Sequence, residues 1–244
     1  MLQIIQTLEI RKQQLRQSPL CVMIGNTSLP QESRLSFTPA MLFFVMGFKD
    51  ILNKLKDEKS ADPMQQSVNV HCEEDSYHWQ WYLKDLERIS YGRQFLEQSG
   101  LSMFQQTWSD NYSSVRDVVY ETIHIARQFP LPFYKLIIIE ALEATFECFN
   151  EPVFELVHTM GRQDELEYFG QLHAHSEANH AMDKTDAGHE SAAYNNYVPS
   201  KHETENALHI INKIFDLFEK AFNCWYQESQ MAQSLQQEAP LLIK

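Results

Sequence analysis

Apolar positions recur every three to four residues along almost the whole chain, which is the period of one helix face. Residues 1–17 carry Leu2, Ile5, Leu8 and Leu15 between Gln, Arg and Lys, and predict a helix that Ser18-Pro19 ends. Residues 31–56 predict a second helix, so apolar through Met41–Phe48 that it must be buried on most sides. After a charged loop at Lys56–Pro63, helical pattern resumes from Gln65 to Ser90 with Trp79, Trp81, Tyr82, Leu83 and Leu86. Residues 101–128 predict one helix, or two with a break near Asp110-Asn111, ended by Pro130-Leu131-Pro132. Phe133–Asn150 holds neither Gly nor Pro; Glu151-Pro152 predicts a kink or restart toward Met160, and Gly161 a stop. Residues 163–182 predict another helix, 184–199 a polar loop, and 203–233 a long closing helix bearing Leu208, Ile211, Ile214, Leu217, Phe218, Phe222 and Trp225. No linker or repeat divides this pattern. The expectation is one all-α domain over residues 1–244, a bundle of about seven to eight helices.

Composition narrows the picture. Only 7 Gly and 9 Pro among 244 residues argue against sandwiches, barrels and Rossmann-type folds, which need many turns. With 20 Lys and Arg against 33 Asp and Glu, the net charge of −13 repels phosphate backbones and anionic lipid, so neither nucleic acid nor membrane is expected as a partner. Met41–Phe48 alone is too short to span a bilayer, and the first residues lack the basic and apolar regions of a signal peptide. Cys21, Cys72, Cys148 and Cys224 are scattered without close pairs, which fits reduced thiols in a cytoplasm.

The candidate chemistry lies in the histidines. Residues 71–78 contain His71, Asp75 and His78, and residues 173–180 contain His173, Glu177 and His180; both obey H-x3-[D/E]-x2-H. On a helix, offsets of 0, 4 and 7 fall within about 60° of arc, so each trio shares one face. About 0.05 copies of the pattern are expected in a random chain of this composition, against two found. Such spacings hold metals between facing helices of a bundle. A third helix offers Glu140, Glu143 and Glu147; Glu143 sits in the middle of its apolar run and is the favoured ligand, with the other two left open. Imidazole mixed with carboxylate suits iron or manganese and not a structural zinc. The plain alternative is a pair of polar helix faces whose histidines pack on aromatics. P-loop, G-x-G-x-x-G and G-x-S-x-G patterns are absent. Cys148 on the acidic helix reads as core packing, and Tyr77, Trp79, Trp81 and Tyr82 as core rather than a redox relay.

Several segments together are similar to one family. Ser18-Pro19-Leu20-Cys21 followed by Ser28-Leu29-Pro30 resembles the opening H-P-L-Y…G-x-L-P of the haem-oxygenase-like superfamily, with its TenA-like and CADD-like members. Tyr168-Phe169 before His173, Glu177 and His180 resembles the F-F-x-x-H-x-x-x-D-x-x-H helix of the di-iron oxidase branch, with Glu177 in place of Asp. Asp75-x2-His78 resembles that branch's E-x-x-H element, and Glu143 its single middle-helix carboxylate. The resemblance implies a haem-oxygenase-like bundle with a non-haem dimetal site, two irons or manganese. It implies activation of dioxygen on a small amino-acid-like or fatty-acid-like substrate. Asp75, Glu143 and Glu177 would be the carboxylate ligands, His78, His173 and His180 the imidazoles, and His71 an extra one. Phe43, Phe44, Met46 and Phe48 would roof the pocket, and a homodimer is allowed. The competing readings are a metal-free TenA-like C–N hydrolase using Cys148 beside Glu147, and a non-catalytic binding bundle.

Overall fold

The computed structural model describes residues 1–180 and 197–238, with side chains for residues 1–175 and 197–235. Among the described residues it is all helix, with no strand. The α-helices are α1 (Leu2–Leu15), α2 (Pro19–Gly25), α3 (Leu42–Leu55), α4 (Pro63–Glu74), α5 (His78–Arg88), α6 (Ser90–Leu96), α7 (Gly100–Trp108), α8 (Ser113–Gln128), α9 (Pro132–Thr159), α10 (Gln171–His180) and α11 (Lys201–Glu238). They outnumber the seven to eight expected because short turns subdivide stretches whose periodicity looks continuous.

Three such subdivisions matter for the site. Residues 31–56 are not one helix: 3-10 turns at Glu32–Leu35 and Thr38–Met41 precede α3. Pro39 lacks an amide donor, and the Thr38 hydroxyl donates to the Leu35 carbonyl instead, at 2.9 Å. A 3-10 turn at Asp75–Tyr77 likewise separates α4 from α5. Residues 163–170 form an irregular loop, so Tyr168-Phe169 precedes α10 rather than lying on it. The break near Asp110 is real, a 3-10 turn between α7 and α8.

Pro152, by contrast, does not interrupt α9, which runs unbroken for 28 residues. The proline removes the amide that would bond the Cys148 carbonyl four residues back. The Cys21 thiol donates to that carbonyl at 3.4 Å, so the buried acceptor keeps a partner. Gly161, at φ +69°, closes the helix in the left-handed region where a side chain is disfavoured.

α9 is the central element, buried over most of its surface and packed on α1, α2, α4, α8 and α11. α11 closes one side with Phe215, Phe218, Phe222 and Trp225 fully buried; Phe44 of α3 meets Phe218 edge-on at 5.1 Å. By length and composition Glu32–Leu55 is apolar enough to cross a bilayer, against the expectation drawn from Met41–Phe48 alone. Its most apolar window is 56% buried inside the bundle, as a core element would be.

Candidate metal centre

The first histidine motif spans the α4–α5 junction. Asp62 caps α4, accepting the Met64 and Gln65 amides at 2.8 and 3.2 Å, and α4 carries His71 toward α9. The 3-10 turn then stacks residues three apart, which an α-helix would offset, and places His78 Nδ1 3.6 Å from Asp75 Oδ1. His71 Nε2 lies 3.0 Å from Asp75 Oδ2 and 3.3 Å from Glu143 Oε1, reaching from α4 to α9. Donor atoms of His71, Asp75 and Glu143 all fall within 4.8 Å of one another, a geometry that could hold a metal ion.

Burial governs the electrostatics. Asp75 and His78 are buried, and His71 and Glu143 are partly buried. Desolvation by itself would lower the His71 imidazole, but its contacts with Asp75 and Glu143 and their charges outweigh this and raise it well above its ordinary pKa. In the metal-free chain the flanking carboxyl groups of Asp75 and Glu143 thus favour the protonated form of His71. Cys72 beside it is pushed up to about 12 by burial, and the ligand atoms that converge are oxygen and nitrogen alone.

His173 joins the group from α10. Its ring stands 4.5 Å from that of His78, centroid to centroid, and His78 stacks on Trp81 at 4.4 Å. His173 Nδ1 lies 2.8 Å from the Tyr168 carbonyl oxygen, which can only accept, so Nδ1 carries the proton. Asp75, His78, Glu143 and His173 line one cavity of about 30 Å³, whose other walls are Phe44, Phe48, Leu142 and Phe146. That is room for roughly two water-sized molecules. Lys49 and Trp79 also border it, the Lys49 ammonium 5.9 Å from the Trp79 ring centre.

Of the expected ligands, then, His71, Asp75 and Glu143 come together, with His78 and His173 beside them. Glu177 and His180 lie on the backbone of α10, but their side chains fall outside the described residues. The structure also separates the three acidic positions of α9. Glu143 borders the cavity, while Glu147 is paired with Lys12 Nζ at 2.6 Å and Arg16 Nη2 at 3.2 Å on the side facing α1. Glu140 is partly buried, and that burial pushes its carboxyl up to about 7. Two of the four expected roof residues, Phe44 and Phe48, line the cavity. Phe43 packs edge-on against Trp108 at 5.4 Å, and Met46 is exposed.

Lys49, Trp79 and the Tyr168 carbonyl were not among the expected site groups. A lysine on an apolar helix and a backbone oxygen in a loop leave no periodic trace, so spacing alone does not find them. No protein-family model matches the chain, and a search of curated proteins returns no significant match.

Proposed function

We propose that the chain is a non-haem metal-dependent oxidase or oxygenase of haem-oxygenase-like architecture, acting on a small organic substrate. The observation that carries this reading is the convergence of His71, Asp75 and Glu143 on one point beside a small, mostly apolar cavity. His71, Asp75 and Glu143 would hold one metal. His78 and His173, with Glu177 and His180 of α10, would supply a second, iron being preferred and manganese next. The chemistry such a pair supplies when bound is activation of dioxygen for oxidation of the substrate.

The donor set fits a cation. Two carboxyl groups flank an imidazole whose protonated form they favour, and a bound cation would take the place of that proton. Phe44, Phe48, Leu142 and Phe146 give the cavity a largely apolar wall, which strengthens charge interactions beside it. The Tyr168 carbonyl fixes the His173 proton on Nδ1, leaving the lone pair on Nε2.

The cysteine-hydrolase reading gains no support. The Cys148 thiol donates to the Ala144 carbonyl at 3.1 Å, is pushed up to about 12 by burial, and does not line the cavity. Glu147 beside it is engaged by Lys12 and Arg16.

The test is anaerobic titration of the purified protein with Fe(II), followed by its melting temperature. A ligand that binds only the folded state at 100 times its Kd adds about 2.7 kcal/mol of stability, and a chelator should remove the gain. A melting curve indifferent to iron, manganese and zinc would overturn the reading and leave a non-catalytic bundle.

A further inference from the structure

Asp85 is fully buried on α5, and no part of the proposed centre uses it. Its carboxylate accepts three consecutive backbone amides of the loop before α10. Oδ1 takes Glu167 at 2.8 Å, and Oδ2 takes Tyr168 at 2.8 Å and Phe169 at 3.0 Å. Two of those residues hold His173: its backbone amide donates to the Glu167 carbonyl at 3.2 Å, and its ring Nδ1–H donates to the Tyr168 carbonyl at 2.8 Å.

We propose that Asp85 is a positioning residue that sets the orientation and tautomer of His173 through this loop. The inference rests on the reading of the cavity as a metal centre. The chemistry explains why an ionised Asp is needed. Three amides converge, and only a carboxylate offers two oxygens that both accept without donating. An Asn at this place would turn an N–H toward one of the amides, and the loop would have to shift. A shifted Tyr168 carbonyl no longer reserves the proton for Nδ1, so the ring loses its fixed tautomer. Within the irregular segment the Glu165 and Leu166 amides bond the Arg162 carbonyl, whereas the next three amides are held by Asp85.

The experiment uses the full chain with 15N-labelled histidine, and a His173→Gln variant to assign the His173 signals. In the metal-free wild type, long-range 1H–15N spectra should show His173 as the single Nδ1–H tautomer. Asp85→Asn should give mixed tautomers at His173 and weaken Fe(II) binding by 10- to 100-fold, the usual scale for groups that orient a ligand. A variant damaged only in packing would lose stability without changing the tautomer. An Nε2–H tautomer in the wild type overturns the proposal without any variant, which matters if Asp85→Asn fails to fold. A folded Asp85→Asn with wild-type tautomer and affinity also overturns it. If the wild type binds no metal while the tautomer still follows Asp85, the metal reading fails and the positioning of His173 stands.

Discussion

Glu143 and Glu147 sit one turn apart on α9, yet they meet opposite surroundings. Glu147 faces α1, where Lys12 and Arg16 meet its carboxylate at 2.6 and 3.2 Å. Glu143 faces α4, where its charged neighbour is His71 at 3.3 Å. The two partners differ in whether their charge can be given up. Lys12 keeps its proton: burial would lower its pKa, but the hydrogen bond and charge of Glu147 raise it above the ordinary value. An imidazolium can surrender its proton to an arriving cation at ordinary pH. One carboxylate is thus spent on fastening a helix, and the other is held where a positive charge is exchangeable.

Substitutions along α9 can break this contrast. Glu143→Gln should have the largest effect, weakening Fe(II) binding by at least about 100-fold, since even groups behind a ligand cost 10- to 100-fold. Isothermal titration of the folded variant checks it, and retained affinity would move the centre away from α9. Glu140→Gln comes next and concerns stability alone. Burial raises the Glu140 carboxyl to about 7 from an ordinary 4.5, so the native state binds this proton more tightly than the unfolded chain. Its contribution to stability is therefore full below about pH 4.5 and is lost as pH climbs toward 7. Removing the charge should stabilise the metal-free protein by about 2 kcal/mol at pH 8 and do little at pH 4. Denaturant unfolding at both pH values would expose a failure as equal shifts. Glu147→Gln should have the smallest effect, a loss of at most about 1 kcal/mol for a half-exposed pair, with unchanged metal affinity. Impaired metal binding in that variant would erase the distinction between the two positions.

Helical content was legible because it follows from periodicity, and Glu143 stood out as a carboxylate embedded in an apolar run; the structure brings it to His71 and Asp75. Most of the breaks were not, the one near Asp110 apart. Residues 65–90 keep an apolar helical rhythm straight through Asp75–Tyr77, so nothing in the spacing announces the 3-10 turn that brings Asp75 to His78. The loop at 163–170 looks like the start of a helix because what holds it out of one is Asp85, about eighty residues earlier. At Pro152, where a kink or a restart was expected, the helix does not restart, and the thiol that satisfies the carbonyl it strands belongs to α2. In the last two cases the deciding partner was remote in sequence, and local rules see only neighbours.

The position of α11 in the chain also constrains how the protein is made. Its buried face of Phe215, Phe218, Phe222 and Trp225 seals the core against α1, α2, α8 and α9. Arg11 of α1 reaches across to Asp216 at 2.7 Å, joining positions 205 residues apart. At roughly 5–20 residues per second, a ribosome takes about ten seconds or more to travel that distance. Until α11 emerges, the nascent chain carries an uncovered apolar groove, and chaperones that shelter apolar surface have a defined window in which to act.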